Sequence, residues 1–271
     1  MLEEINVALV QVGCRAGEKE YNIELMERKI IEAKERGANL ILFPELSLTG
    51  YVPLPHLHNA AEPIPGPSIR YLEEITEKEG IHVILGMLEQ SREGHTPFST
   101  AVVLGPKGFI GKYRKRQFQL EDQAPVFGTP IGKIGLIISY DIFFPEISRL
   151  LMLKGAQLII CISASPTVQR KLFETFTVAR AAENNVFLAY VNLTGSGDKL
   201  QFYGGSRIIA PNGDIILQAK YNAEDLVLGR INYLHLEQTE MLATATTGHN
   251  LKSEVFNLLM KQIKDYSSRD L

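Results

Sequence analysis

This sequence has little cysteine, only a small excess of negative over positive charge and no long apolar run. Each of these features excludes a class of protein. The only cysteines among the 271 residues are Cys14 and Cys161, and their spacing fits neither a metal site nor a disulfide framework. No apolar run approaches the ~20 residues that a membrane-spanning helix needs. The formal net charge of −3 offers no electrostatic basis for binding nucleic acid or an anionic membrane. We therefore expect neither nucleic acid nor membrane as a partner.

The N-terminus and the overall composition favour a globular protein of the cytoplasm. The first residues, MLEEINVALVQVG, are acidic and lead directly into an apolar stretch, so no secretory signal is visible. Two isolated cysteines suit a reducing compartment. Hydrophobic residues make up 45% of the chain and charged residues 22%, which is typical of a domain with a substantial core. The length allows one large α/β domain or two small ones.

The hydrophobic periodicity predicts two halves with the same order of strands and helices. The segments GANLILFPELS (residues 37–47) and GAQLIICISAS (155–165) resemble each other, and each half ends in a hairpin. The predicted strands are 5–10, 40–43, 82–88, 99–104, 108–113, 134–138, 158–162, 186–192, 205–210 and 214–219. The predicted helices are 22–36, 68–79, 146–153 and 172–184, with an irregular proline-rich loop at 52–67.

Near-continuous apolar strands indicate sheets that are buried on both faces. Two similar halves, each with a mixed sheet, suggest two sheets packed face to face with helices outside, a four-layer α-β-β-α sandwich. Composition alone also allows a single doubly wound sheet.

The stretch IGLIISYDIFFPEISR (residues 134–149) predicts a sharp turn from a strand into a helix. The apolar run 134–138 reads as a buried strand, and Pro145 suits the first turn of a helix because its missing N–H costs nothing there. Such a turn exposes one side chain beside backbone N–H groups, as in a nucleophile elbow. The side chain at this bend is Ser139.

Three separated motifs resemble those of the nitrilase (carbon–nitrogen hydrolase) superfamily. GLIISYDIFFPEISR is similar to the signature G-x-x-I-C-Y-D-x-x-F-P-E-x-x-R, with Ser139 where the family has its catalytic cysteine. LILFPELSLTGY surrounds Glu45, and GKYRKRQF surrounds Lys115. The resemblance extends over roughly residues 5–232. It implies the four-layer sandwich, and a single domain over residues 1–271.

The resemblance also implies a set of roles. Glu45 would be the general base, Lys115 the cation facing the oxyanion, and position 139 the nucleophile. Glu121 matches a second family glutamate thought to position substrate, and the N–H of Tyr140 would serve the oxyanion. Ser163, like Glu45 and Ser139, lies just past the carboxyl end of a predicted strand, where ligands bind in α/β sheets, so we predict that Glu121, Tyr140 and Ser163 bind substrate. No metal or organic cofactor is required. The implied substrate is a small amide or nitrile, and the implied reaction converts a small carboxamide into a carboxylate and ammonia.

Serine at position 139 leaves three interpretations open. It is a replacement that silences a thiol enzyme, a native residue of a chain that binds without turnover, or a working hydroxyl nucleophile. A hydroxyl is a far weaker acid than a thiol and usually needs a His or Lys base. Cys161 lies within an apolar strand and is expected to be a buried core thiol rather than a displaced nucleophile.

Function and assembly likewise keep alternatives. A nitrilase, an N-carbamoyl hydrolase, and a non-catalytic binding or scaffold protein on the same fold all compete with the amidase. Lys115 and Ser139 are only 24 positions apart, which shortens the family's loop near the acyl pocket and leaves the substrate class open. The apolar helices 146–154 and 172–184 predict a homodimer or a higher even oligomer. Residues 236–271 depart from the family pattern, and their amphipathic part, 251–266, fits either packing on its own domain or dimerisation.

Overall fold

The computed structural model describes residues 2–53, 56–92, 95–115 and 125–236, together with residue 257. Fourteen strands and five helices lie in these ranges. The strands are β1 (Glu4–Gln11), β2 (Leu40–Leu42), β3 (His82–Glu89), β4 (Phe98–Gly105), β5 (Gly108–Arg114), β6 (Val126–Thr129), β7 (Gly132–Ile138), β8 (Leu158–Ser163), β9 (Phe187–Asn192), β10 (Thr194–Gly197), β11 (Leu200–Tyr203), β12 (Arg207–Ile209), β13 (Ile215–Gln218) and β14 (Asp225–Asn232). The helices are α1 (Lys19–Glu35), α2 (Leu57–Ala60), α3 (Pro67–Glu79), α4 (Pro145–Leu153) and α5 (Arg170–Asn184).

Two six-stranded sheets form the centre of the molecule. The first has the strand order β14-β1-β2-β3-β4-β5, and the second has the order β13-β12-β9-β8-β7-β6. In each sheet the three central neighbours run parallel, namely β1-β2-β3 and β7-β8-β9, and the flanking strands are antiparallel. The carboxyl ends of both parallel sets supply the residues of the site described below.

Alternating side chains divide the apolar residues into three layers, because successive residues of a strand point to opposite faces. Leu9 and Leu42 of the first sheet pack with Leu136 and Ile160 of the second in one cluster between the sheets. The outer face of the first sheet packs against α1 and α3. The outer face of the second packs against α4 and α5. The predicted four-layer α-β-β-α sandwich is therefore confirmed, and the doubly wound alternative is wrong.

The sequence did not predict four of the strands, namely β6, β10, β11 and β14. β6, β10 and β11 are only four residues long, and β10 has the sequence TGSG, which lacks apolar alternation. β14 pairs antiparallel with β1, from Glu4 opposite Asn232 to Gln11 opposite Asp225. The end of the second half thus completes the first sheet. The loop predicted at 52–67 contains the one-turn helix α2.

Some expectations concern residues outside the described ranges, namely Glu121 and the amphipathic stretch 251–266 apart from residue 257. Within the described part of the chain, no helix combines the length and the apolar character that crossing a bilayer demands.

Candidate active site

A buried carboxylate and an ammonium group meet at the carboxyl ends of the strands in the first sheet. Glu45 follows β2 and Pro44, and it is almost completely buried. Lys115 directly follows β5, and its backbone N–H continues the ladder by donating to the Ser99 carbonyl at 2.8 Å. The Lys115 ammonium lies 2.8 Å from Oε1 of Glu45. Two residues that are 70 positions apart in the sequence are therefore a direct ion pair.

Both oxygens of the Glu45 carboxylate are held in place. Oε1 accepts a hydrogen bond from the Ser99 hydroxyl at 2.9 Å in addition to the contact with Lys115. Oε2 accepts from the backbone N–H of Ala164 at 3.1 Å, and Ala164 follows β8 in the second sheet. The carboxylate is thus oriented by groups from both sheets, and a fixed orientation is what a general base needs.

The Lys115 side chain is held in its charged form. Burial alone would lower the pKa of this ammonium, but the Glu45 carboxylate at hydrogen-bond distance, with Asp141 farther away, raises the pKa above its ordinary value. A permanently charged ammonium can stabilise negative charge that develops on a nearby oxygen.

The second sheet contributes a strained turn at the end of β7. Ser139 is buried and has a φ of 50°, in the left-handed region that few residues other than glycine adopt. Residues Ser139–Phe143 form a 3₁₀ turn, and α4 begins at Pro145. The strand-to-helix turn predicted from the sequence is present. The adjacent Tyr140 ring centroid lies 5.2 Å from Nζ of Lys115, so the turn borders the Glu45–Lys115 pair.

A buried carboxylate, Asp141, stabilises this turn from within. Its Oδ2 accepts hydrogen bonds from the Ile138 backbone N–H and from the Tyr113 hydroxyl, both at 2.9 Å. Burial raises the pKa of Asp141 to about 6, although both hydrogen bonds and the charge of Lys115 act in the opposite direction. Tyr113 lies on β5, two residues before Lys115.

Arg180 of α5 stabilises the same turn from the helix side. Its guanidinium donates to the Ile142 carbonyl at 3.0 Å and to the Phe143 carbonyl at 3.2 Å. On α4 itself, Nη1 of Arg149 is buried without a hydrogen-bond partner. The turn is therefore held by a helix that begins almost 30 positions later in the sequence, and Arg180 satisfies carbonyls that would otherwise be buried without a donor.

The residues predicted to bind substrate differ in their placement. Tyr140 is exposed, and its hydroxyl donates to Gln169 at 2.7 Å. Ser163 is completely buried, and its hydroxyl is hydrogen-bonded to that of Ser165. Glu121 lies outside the described residues. A binding role for each of the three stays a prediction.

Two aromatic residues near the site were not predicted. The rings of Tyr51 and Phe202 lie 5.2 Å apart. Burial raises the pKa of Tyr51, and the Glu45 carboxylate raises it further, so this phenol is close to the ion pair. Tyr51 belongs to the LTGY part of the motif around Glu45 and could have been found from it, whereas Phe202 comes from the unpredicted β10–β11 hairpin.

Cys161 is also near the turn, but one layer away. Its side chain is buried in the cluster between the second sheet and α5, which includes Phe173 of that helix, and its sulfur lies 4.0 Å from the Ser139 carbonyl oxygen. Burial raises the pKa of this thiol well above its ordinary value, and the charges of Asp141 and Glu45 add to the effect. The Cys161 thiol is therefore buried, as expected, and its exclusion as nucleophile stays a prediction.

Comparison with known proteins gives one consistent answer. The sequence profile described as "Carbon-nitrogen hydrolase" matches residues 6–240. A nitrilase from Pyrococcus abyssi is 31% identical over 242 residues, which cover 84% of this chain and 90% of that protein. A crystal structure of an amidase from Nesterenkonia sp. superposes with a TM-score of 0.75 at 25% identity, and the match covers 86% of this chain and 92% of the other.

Two further structures add to this picture. In a variant of the Nesterenkonia amidase, the acetamide moiety of fluoroacetamide is covalently added at the active-site cysteine. A carbon-nitrogen hydrolase from Helicobacter pylori G27 superposes with a TM-score of 0.85 at 20% identity, covering 95% of this chain and 98% of the other, which shows the shared fold. The profile match over most of the chain and the 31% identity to a nitrilase lead to one conclusion: this chain belongs to the nitrilase superfamily of carbon–nitrogen hydrolases.

Proposed function

We propose that this chain has the active site of an amidase for small carboxamides, which it would convert into a carboxylate and ammonia. In this proposal Glu45 is the general base and Lys115 the oxyanion partner. The side chain at position 139 is the nucleophile. The observation that carries the proposal is the buried Glu45–Lys115 pair, with 2.8 Å between Oε1 and Nζ, beside a strained turn whose first residue is Ser139.

The proposed reaction has two steps. The nucleophile at position 139 attacks the amide carbonyl, and Glu45 takes its proton and passes it to the leaving nitrogen, which departs as ammonia. Water then attacks the acyl-enzyme, and Glu45 takes a proton from that water. Glu45 returns the proton to the side chain of residue 139 as its bond to the acyl group breaks, and the product leaves as the carboxylic acid, which ionises to the carboxylate. The ammonium of Lys115 and the backbone N–H of Tyr140 would face the oxyanion of each tetrahedral intermediate.

A hydroxyl at position 139 weakens this chemistry. A thiol with a pKa of about 8.5 is within reach of a carboxylate base, whereas an alcohol is not easily deprotonated by one. The three interpretations of Ser139 therefore remain, and Cys161, whose sulfur lies 4.0 Å from the Ser139 carbonyl oxygen, is a competing nucleophile. We favour position 139 because it lies on the turn that borders the Glu45–Lys115 pair, whereas the Cys161 thiol packs in the layer against α5 and its raised pKa keeps it protonated.

The named relatives support the choice of substrate class. The Nesterenkonia protein is an amidase whose active-site cysteine takes up an acetamide moiety, and the Pyrococcus protein is named a nitrilase. We place the amidase first because of the Nesterenkonia protein, and a nitrilase or an N-carbamoyl hydrolase second. The Glu45–Lys115 pair opposes the non-catalytic alternative, because a scaffold has no need of a buried ion pair at this position.

The proposal is tested by Ser139→Cys. We expect release of ammonia from small carboxamides such as acetamide and propionamide at a rate on the order of 10²-fold or more above that of the unsubstituted protein, because activation of the nucleophile by a base is worth 10²–10⁴-fold. Mass spectrometry of trapped intermediates should find the acyl group on the peptide that contains residue 139.

Two controls accompany this experiment. A panel of nitriles and N-carbamoyl compounds tests the alternative substrates, and Cys161→Ala in the Ser139→Cys background tests the alternative nucleophile. Acylation on the peptide containing residue 161 would refute the assignment to position 139. A folded Ser139→Cys protein that is neither acylated nor active on the whole panel would leave the non-catalytic binding protein as the better description. The homodimer and the cytoplasmic location stay predictions, and the dimer is considered in the Discussion.

A further inference from the structure

The candidate site is assembled from two separate sheets. Glu45 and Lys115 follow strands of the first sheet, whereas Ser139 follows β7 of the second. Between the sheets lies an apolar cluster, which attracts the two layers to each other without fixing their lateral position, since hydrophobic contact is non-directional. If the reaction depends on the distance from Lys115 to position 139, directional contacts between the sheets must set it.

Among the hydrogen bonds that cross from sheet to sheet, two involve residues of the site or of its turn. One is the bond from the Ala164 N–H to the Glu45 carboxylate already described. The other runs from the Tyr113 hydroxyl on β5 of the first sheet to Oδ2 of Asp141 in the turn of the second, at 2.9 Å. Tyr113 and Asp141 are both buried, so water does not compete for this bond.

On the first sheet, Tyr113 is tied closely to Lys115. The two residues are two positions apart along β5 and its continuation, so their side chains lie on the same face, toward the second sheet. Arg114, between them, points to the other side and forms an ion pair with Glu89. A displacement of Tyr113 relative to the second sheet would therefore carry Lys115 with it.

On the second sheet, Asp141 is tied equally closely to position 139. The same Oδ2 that accepts from Tyr113 also accepts from the Ile138 N–H at 2.9 Å, and Ile138 immediately precedes Ser139. One carboxylate oxygen thus joins the residue before the turn to the strand that carries Lys115.

We infer that Tyr113 and Asp141 are a positioning pair, which fixes Lys115 of the first sheet relative to position 139 of the second. The inference rests on the proposed function, because it assumes that Lys115 and position 139 act on the same substrate. Neither residue of the pair touches the substrate in this account. Loss of the pair would alter the alignment of the groups that do.

The alternative is that this bond only stabilises the fold, and the chain offers a matched control for that role. Tyr233 is another buried tyrosine of the same intersheet cluster, and its hydroxyl donates to the Ile131 carbonyl at 2.9 Å. Ile131 precedes β7, at the opposite end of that strand from Ser139. Tyr113→Phe and Tyr233→Phe each remove one buried hydroxyl from the layer between the two sheets. Only the Tyr113 hydroxyl lies beside the site.

The test compares these two substitutions in the Ser139→Cys background. We expect Tyr113→Phe to lower kcat roughly 10- to 100-fold with a smaller change in KM, because misplacement of about 1 Å can cost 10²-fold. Tyr233→Phe should leave kcat within about twofold of the value for Ser139→Cys alone, even if it lowers the melting temperature as much as Tyr113→Phe does. Equal kcat losses in the two variants, or a loss confined to KM in Tyr113→Phe, would overturn the inference.

A second measurement separates failure of this inference from failure of the proposed function. The pH dependence of iodoacetamide alkylation gives the pKa of the thiol at position 139 without any turnover, and peptide mapping distinguishes this thiol from those of Cys14 and Cys161. If Lys115 moves away in Tyr113→Phe, this thiol pKa should rise relative to that in Tyr233→Phe. An unchanged thiol pKa would count against the pair even if no amide is hydrolysed, whereas a raised thiol pKa without turnover would sink only the amidase proposal.

Discussion

The two halves of the chain can be compared residue by residue from the glycine that ends their first helix. Gly37 follows α1 and Gly155 follows α4, with φ values of 84° and 86°. Such left-handed glycines commonly terminate helices. Each glycine is followed three residues later by a central strand, β2 or β8, which is flanked by parallel neighbours in its own sheet. In this alignment Glu45 of the first half corresponds to Ser163 of the second.

The corresponding positions contribute different chemistry. In the first half, the strand end provides a carboxylate that is paired with Lys115. In the second half, the corresponding hydroxyl is bonded to a neighbouring serine, and the functional feature is instead the strained turn one strand away, at Ser139. A duplicated scaffold thus provides the shape twice. The charged groups come from one half and the turn from the other.

The buried carboxylates of the two halves differ in the same way. Glu89 of the first half is paired with Arg114 and Lys112, and although burial raises its pKa, these cations and the Thr100 hydroxyl hold the pKa below the ordinary value. Asp141 of the second half accepts from two neutral donors, and burial raises its pKa to about 6. The surroundings of Glu89 therefore stabilise its charged form, whereas burial of Asp141 favours its protonated form.

The largest effect should come from removing the cation of the first half. Lys115→Met in the Ser139→Cys background should lower kcat by roughly 10²–10³-fold, because this is the typical cost of losing one oxyanion-hole donor. KM should change much less if the ammonium acts mainly in the transition state. Steady-state kinetics with a small carboxamide give both constants.

The matched control is Lys112→Met, which removes the same charge three residues earlier, on β5. Lys112 pairs with Glu89 rather than Glu45, and Glu89 retains Arg114 as a partner. Its kcat should therefore stay close to that of Ser139→Cys alone. A change confined to KM in Lys115→Met would instead make Lys115 a residue that binds the ground state.

The sequence was sufficient where a feature depends on neighbouring residues. A β-branched run followed by Pro145 specifies the turn at Ser139, since the run favours a strand and proline suits the first turn of a helix. The central strands were predicted within one or two residues because they are buried on both faces and read as continuous apolar runs. Glu45 could be recognised because it ends such a run.

The sequence was insufficient where a feature depends on partners far along the chain. The pairing of β14 with β1 joins residues more than 200 positions apart, and no local pattern specifies it. The same holds for Ala164 at the Glu45 carboxylate and for Arg180 at the carbonyls of the turn. The first two contacts arise only when the two halves pack, and the third arises only when α5 packs on the turn. The groups that orient the site were therefore missed, while the residues of the ion pair were found.

The difference between the buried carboxylates should appear in a smaller effect, the pH dependence of the free energy of unfolding. The folded-state pKa of Asp141, about 6, lies above the ~3.9 of an unfolded aspartate, so the native state retains a proton that the unfolded state loses. Stability should therefore fall as pH rises from about 4 to about 6, by at most about 3 kcal/mol from this group. Asp141→Asn should remove this loss, and urea denaturation at pH 4 and at pH 7 measures it.

Glu89→Gln provides the opposite case. The lowered pKa of Glu89 means that its charge stabilises the fold above the unfolded pKa and that this contribution is lost as pH falls. The stability difference between the unsubstituted protein and Glu89→Gln should thus shrink on acidification. If Asp141→Asn loses as much stability from pH 4 to pH 7 as the unsubstituted protein, the contrast between the two carboxylates is wrong.

The two halves also differ in what their outer helices leave exposed. Among the described residues, the helices of the second half carry large apolar side chains with substantial exposure, namely Leu153 at 56% and Leu172 at 49%. Leu151 and Phe173 on the same helices are buried against the second sheet. Apolar residues on two sides of a helix indicate that something covers the outer side. A second copy of the chain would present the same surface about a two-fold axis.

We therefore predict a homodimer, or a multiple of one, through α4 and α5. Light scattering at micromolar concentration should give a mass near twice the 30.2 kDa of one chain. Leu172→Glu should shift this mass toward the monomer, because burying a carboxylate in an apolar interface is costly unless it is paired. Tyr71 on α3 is exposed to nearly the same extent, 44%, but lies in the outer layer of the first sheet, so Tyr71→Glu should leave the mass unchanged. A mass of one chain for the unsubstituted protein would rule the dimer out, and an equal shift in both variants would move the interface away from α5.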